Sequence, residues 1–318
     1  MTSQIDGSDL TTAPPPRSIK TRLMGVVRVI VGGLPPLIGN RVADLAGDLT
    51  YHVAPRSRRA AISNLGHVMR PVSKERLKQA VHGVFHNVMR SYYDLCRAPN
   101  LSNDELDCSV DFDYEGWQRV LDLHQQKRGV VLASAHFGAF DMIGQVIGRR
   151  GADMRIMIAQ VKPAWLSDFI SALRVNRGVK AFLVDAEEGS GLNLAALKDT
   201  IKFLRGGGVL GVMVDRNLEK EGVPIPFFGC DAVVASGVAK MAFRTRSAVV
   251  VCICKRLPGN RYAVTFDLPI EPTGSATNPE DIKSLLKEIF ARLEHHISLS
   301  PEQWVLLQPV WERIKDKG

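Results

Sequence analysis

The 318-residue chain reads as an α/β protein: a mainly parallel sheet flanked by helices on both faces, preceded by an N-terminal helical segment suited to a membrane surface. Three observations predict this. From Val110 onward, short β-branched runs alternate with stretches of helical apolar spacing, as strands joined by crossover helices do. Between Arg41 and Ser109 only the helical period is found. Ahead of both lies a stretch from Arg17 to Arg41 that is basic and apolar and contains no acid.

Composition sets the outer limits. Hydrophobic residues make up 45% and charged residues 23%, a globular balance rather than a disordered one. Lys and Arg number 41 against 33 Asp and Glu, a net charge of +8, which fits either a soluble basic enzyme or attraction to an anionic membrane surface, anionic cofactor or nucleic acid. No recognised nucleic-acid module or aromatic-interleaved basic run is present, so nucleic acid is not an expected partner. The five cysteines (Cys96, Cys108, Cys230, Cys252, Cys254) form no C-x-x-C pair, and neither a disulfide framework nor a zinc site is expected from them. A reducing cytoplasm fits best.

Taken in order, residues 1–16 are polar, end in three prolines and read as a disordered tail without the apolar core of a signal peptide. Leu23, Val26, Val27, Ile30 and Val31 then recur at helical spacing. The run is shorter than the ~20 residues that span a bilayer, carries Arg28 and breaks at Pro35-Pro36. A core helix and a helix lying on a membrane both fit; Arg56, Arg58 and Arg59 favour the membrane. Val42, Leu45, Ala46 and Leu49 share one helical face, and a helix over 58–68 directs Ala61, Ile62 and Leu65 inward. Ser73 caps a helix over 76–93 with Val81, Val84, Phe85, Val88 and Met89 as its buried stripe. His82 and His86 lie one turn apart, but no acidic or third histidine ligand follows at useful spacing, so no metal is expected. The regions are therefore 1–16, 17–109 and 110–313.

In the third region strands are expected at 110–114, 130–132, 154–159, 179–184, 209–214, 249–255 and 262–268. Helices are expected at 116–126, 139–147, 165–174, 192–204 and 236–246, and a last one follows the Asn278 cap with Pro279 at its first position. Residues 222–229 read as a loop.

The chemistry gathers at two strand ends. The strand from Val130 leaves His136 at its carboxyl end, where open α/β sheets bind ligands. Asp141, on the following helical turn, is close enough to fold back and hold the imidazole, giving a base that works near neutral pH. The strand from Val209 delivers Asp215 and Arg216. If the strands are neighbours, both pairs face one crevice, and the set suits attack by a hydroxyl on a carbonyl. There is no G-x-S-x-G elbow, no phosphate-binding G-x-x-x-x-G-K-[ST] and no cysteine near His136 in sequence. Direct attack is then simpler than an acyl-enzyme.

The segment His136-Phe137-Gly138-Ala139-Phe140-Asp141 resembles the His-x-x-x-x-Asp motif of glycerolipid acyltransferases. Its surroundings resemble the bacterial lipid A biosynthesis (lauroyl/myristoyl) acyltransferase family, which also includes the phosphatidylinositol mannoside acyltransferases. Arg59 to Val68 with Ser63-Asn64-Leu65, Met213 to Asn217, Gly222 to Gly229, Ser236 to Ala242 and Pro301-Glu302-Gln303-Trp304 are each similar to a family segment, in the same order. The resemblance implies His136 as base, Asp141 as the residue that orients it, and Asp215 in the active site with Arg216 beside it. It also implies that Arg174, or alternatively Arg177, binds the donor or the oxyanion. The implied donor is acyl-ACP or acyl-CoA, with no further cofactor and no metal. The implied acceptor is a hydroxyl of a membrane glycolipid, at the cytoplasmic face of the inner membrane. Another amphiphile, a glycerol phosphate or an ornithine lipid, is disfavoured because no Glu-Gly-Thr-Arg follows the second strand. The intact His136 and Asp141 argue against a membrane-binding relative that has lost catalysis.

Overall fold

Five of the apolar runs line up as the parallel centre of one sheet. A computed structural model describes residues 19–160, 164–174, 180–185, 194–217 and 222–311. The expected tail and Arg177 lie outside the described residues. The strands are β1 (Val110–Phe112), β2 (Val130–Ser134), β3 (Met154–Gln160), β4 (Lys180–Asp185), β5 (Val209–Met213), β6 (Val223–Phe227), β7 (Cys230–Val234), β8 (Ala248–Leu257) and β9 (Arg261–Phe266). The main sheet has seven strands in the order β1-β9-β8-β2-β5-β3-β4. β8, β2, β5, β3 and β4 run parallel; β9 pairs antiparallel with β8 and carries β1 with it. Every residue of β2 is buried, as expected for a central strand covered on both faces.

Alternate side chains of the sheet serve two cores. Val130, Leu132, Val209, Val250 and Cys252 pack with Trp117 and Val120 of α6 (Tyr114–Gln125) and with Met142, Ile143 and Val146 of α7 (Asp141–Ile147). Val131, Ala133, Leu210, Val249 and Val251 pack on the other face with α10 (Gly237–Thr245) and α11 (Pro279–Ser298). The same core takes in Ala61 and Leu65 of α3 (Pro55–Val68) and Val81, Val84 and Phe85 of α4 (Lys74–Arg97). The N-terminal helices thus share the core of the sheet. Their caps are local: Ser73 Oγ accepts from Arg76 N at 3.2 Å and Asn278 Oδ1 from Glu280 N at 3.1 Å.

Two expectations are corrected. Residues 222–229 are not a loop: β6 and β7 form an antiparallel hairpin apart from the main sheet, registered from Val223↔Val234 to Phe227↔Cys230. Its prolines, Pro224 and Pro226, are exposed on a strand with a free edge, where a missing N–H costs no ladder bond, while Ile225 and Phe227 are buried. Phe228 and Gly229, with φ of 50° and 71°, make the tight turn. Ile62 points outward, at 42% exposure.

The apolar faces of α1 (Ile19–Gly32) and α2 (Pro36–Val53) do not enter the core. Val26, Val27 and Ile30 of α1, and Leu37, Ile38, Val42, Leu45, Leu49 and Val53 of α2, are all exposed. α2 instead buries Gly39, Ala43, Gly47 and Tyr51. Small residues face α4 and branched residues face out, the reverse of an ordinary surface helix. Among the described residues no helix is long and apolar enough to cross a membrane.

Candidate active site

The site begins with strand register. β2 and β5 are neighbours, with Ser134 opposite Met213, and Val214 N donates to Ser134 O at 2.9 Å. Two residues further on, the same register sets His136 beside Asp215. Asp215 Oδ1 lies 2.8 Å from His136 Nδ1, and Oδ2 accepts from the backbone N of His136 at 2.9 Å and from Trp304 Nε1 at 2.9 Å. The Asp215 side chain is wholly buried, whereas that of His136 is 26% exposed. Burial alone would raise the Asp215 carboxyl. The opposing charge of His136 and the bonds from His136 and Trp304 outweigh it and hold the carboxyl below its ordinary range. Among the described residues no partner occupies His136 Nε2. A ring fixed through Nδ1 by a buried carboxylate presents Nε2 as acceptor to whatever lies in front of it.

The expected partnership of Asp141 with His136 is therefore corrected. Asp141, at the start of α7, faces α8 (Ala164–Arg174) and accepts from Arg174 Nε at 2.6 Å and Nη2 at 3.3 Å. Sequence proximity favoured Asp141, but strand pairing, which brings in Asp215 from 79 positions away, decides the matter. Gln145 of α7 holds the end of α8 by donating to the carbonyls of Leu173 and Arg174. Burial works against the Arg174 charge, but Asp141 more than restores it. Phe140 stands edge-on to His136, ring centroids 5.1 Å apart, filling the space between the two pairs.

The turn from β2 to α7 is clamped from three directions. Gly138 has φ of +58°, and a Cβ there would lie 2.2 Å from Cys254 O, so both conformation and clearance require glycine. Gly138 N donates to Gln303 O, Ala139 N to Cys254 O, and Ser91 Oγ of α4 to Gly138 O. Val305 N donates to His136 O at 2.7 Å. The Gln303 side chain pairs with both backbone groups of Arg256. Asn64 of α3 binds the carbonyls of Leu306 and Gln308 and the N–H of Val310. The Pro301-Glu302-Gln303-Trp304 and Ser63-Asn64-Leu65 segments thus hold the site together. Their roles were invisible as local patterns, and only the resemblance singled them out.

In front of His136 opens a cavity of about 380 Å³. Its polar wall includes His136, Asp141, Arg174, Arg216, Ser91 and Tyr92. It then runs back along the α7 face of the sheet between Leu132, Ile143, Met154, Ile156, Gly211 and Cys252. Arg216 meets the cavity with a buried Nε that has no partner among the described residues. Burial depresses its charge and Asp215 opposes the effect. Arg174, Arg216, Asp141 and His136 thus share one chamber, with Asp215 behind the imidazole. A chamber with a base and cations at one end and an apolar bore at the other can hold the head and tail of one amphiphile.

The sequence is similar to those of known proteins. The family described as bacterial lipid A biosynthesis acyltransferase matches residues 15–313. A phosphatidylinositol mannoside acyltransferase of Mycobacterium tuberculosis is 23% identical over 222 residues, covering 70% of this chain and 67% of the relative. One of Mycolicibacterium smegmatis is 24% identical over 184 residues, covering 58% of this chain and 57% of the relative.

Proposed function

Because the chain belongs to the bacterial lipid A biosynthesis acyltransferase family, and is therefore an acyltransferase of lipid biosynthesis, we propose that it moves a fatty acyl chain from an acyl thioester to a hydroxyl of a membrane glycolipid. The observation that carries the mechanism is the His136–Asp215 pair at the mouth of a cavity with an apolar bore. His136 Nε2 takes the acceptor hydroxyl's proton while Asp215 stabilises the imidazolium that forms. The alkoxide oxygen attacks the thioester carbonyl, and the tetrahedral intermediate collapses with cleavage of the C–S bond. The imidazolium returns its proton to the departing thiolate. Arg216, whose Nε has no partner among the described residues, serves the oxyanion or an anionic part of the donor. Arg174 serves substrate at the chamber wall while neutralised by Asp141. The bore takes the acyl chain of acyl-ACP or acyl-CoA. The glycolipid is of the lipid A precursor or phosphatidylinositol mannoside type.

The protein works on the cytoplasmic face of the inner membrane as a peripheral protein. The outward apolar stripe of α1 and α2, flanked by exposed Arg41, Arg56 and Arg59, supports this reading. Such a stripe is costly in water and stabilising at a lipid interface, where basic side chains meet anionic headgroups. His136→Ala tests the chemistry. It is expected to lower acyl transfer by about 10²–10⁴-fold, with folding and vesicle binding unchanged; transfer at the wild-type rate would refute His136 as base. Mass spectrometry of lipids from a deletion strain names the acceptor as the species that lacks one acyl chain.

A further inference from the structure

Away from the active site, α2 and α4 bring together side chains that the acyl-transfer chemistry does not use. We propose that Asp48, His82 and His86 hold one divalent transition-metal cation, with zinc the best match, as a clamp between these two helices. Their ligand atoms lie within 4.8 Å of one another. Asp48 Oδ1 is 2.6 Å from His86 Nε2 and 3.2 Å from His82 Nε2. The two histidines share one face of α4 at one-turn spacing, the spacing by which a helix grips a metal from one side. The third ligand comes from α2, which is why no ligand was visible after His86 in the sequence.

The helix approach is built for this contact. A Cβ on Gly47 would lie 2.8 Å from His86 Cδ2 and 3.0 Å from His86 Cα, so glycine is what lets α2 settle on His86. The rear of the ring is prepared as well. His86 Nδ1 faces Asp44 Oδ1 at 3.8 Å, and Arg90 fixes Asp44 from the other side, Nε to Oδ1 at 2.6 Å and Nη2 to Oδ2 at 2.7 Å. A carboxylate behind the far nitrogen is the usual way a metal-bound histidine is oriented.

Nε2 of each ring faces the same Asp48 oxygen, so a cation seated among them would take both Nε2 lone pairs and that oxygen. Two imidazoles and one carboxylate suit zinc rather than calcium or magnesium, which take oxygen donors. The Asp48 side chain is 43% exposed and His82 36%, leaving solvent room for a fourth ligand. The clamp would tie the outward-facing α2 to α4, whose Val88, Ser91 and Tyr92 line the cavity.

The test uses the full chain without a histidine tag, stripped with chelator and titrated with zinc by calorimetry. Cobalt substitution then reads coordination through its visible absorption. One zinc per chain and the intense bands of four-coordinate cobalt are expected. Asp48→Asn and His82→Ala should each abolish stoichiometric binding with circular dichroism unchanged. Asp44→Asn, a positioning change, should weaken binding by about 10-fold or more. Absence of stoichiometric binding in the wild-type chain overturns the proposal. So does full binding retained by Asp48→Asn. Neither readout depends on acyl transfer.

Discussion

Replacing Asp215 by Asn tests the arrangement of the site most directly. The substitution keeps size and shape, and the amide oxygen can still accept from Trp304 Nε1 and His136 N, each now 2.9 Å from Oδ2. The amide nitrogen, placed where Oδ1 now lies 2.8 Å from His136 Nδ1, donates instead of accepting. The favoured tautomer then carries its hydrogen on Nε2, the nitrogen that should take the proton, and the imidazolium loses its counter-charge. A carboxylate in this position is worth about 10⁴ in rate where a histidine is the base, so a fall of about 10³–10⁴-fold is expected, or roughly 4–5.5 kcal/mol in the barrier. Transfer of labelled acyl groups from the thioester to extracted glycolipid measures it. Near-wild-type transfer by Asp215→Asn, with collapse on Asp141→Asn, would show that Asp141 orients the base. The same variant has a pH signature. Because the folded-state carboxyl lies below its ordinary 3.8, its stabilising contribution is complete above that value and is lost as pH falls through the folded-state value. The stability gap between wild type and variant should narrow on acidification below about pH 4, as followed by chemical denaturation.

Gly138→Ala should cost about 1–3 kcal/mol and abolish activity, because the residue is left-handed and its Cβ meets Cys254 O; an unchanged Tm and rate would refute the clamp. Asp141→Ala strands Arg174 beside the cavity and should destabilise by about 3 kcal/mol, discounted for the 22% exposure of Arg174; Asp141→Leu with Arg174→Met should recover most of the loss in thermal melts. Leu45→Glu with Leu49→Glu, at sites 68% and 64% exposed, should leave the Tm within about 1 °C but weaken binding to anionic vesicles at least about 10-fold. Undiminished flotation with vesicles would remove α2 from the membrane contact.

What could be read in the sequence was local or periodic. The run into His136 and the delivery of Asp215 needed only strand patterns, and the rule that ligands gather at strand carboxyl ends joined them. The choice between Asp141 and Asp215 needed register, which no local pattern encodes. The hairpin of β6 and β7 was hidden because its prolines read as loop, although they occupy the edge where proline is tolerated. α2 was legible as a helix, but not which face it buries: apolar spacing marks Val42, Leu45 and Leu49, while small residues at Gly39, Ala43 and Gly47 decide the packing. Asn64, Gln303 and Trp304 act across more than 40 positions and leave no periodic trace.

The bond from Trp304 to Asp215 also orders events in time. Trp304 follows Asp215 by 89 positions, and Val305, whose N–H donates to the His136 carbonyl, comes after it. A growing chain that has already emerged through Asp215 holds His136, that carboxylate and much of its sheet, yet one donor to the carboxylate and the strap over the histidine turn are still to be made. Synthesis therefore imposes a delay between the appearance of the reactive groups and their alignment. The site of a nascent chain is therefore completed only as residues 301–310 dock onto α3, α4 and the turn at Gly138.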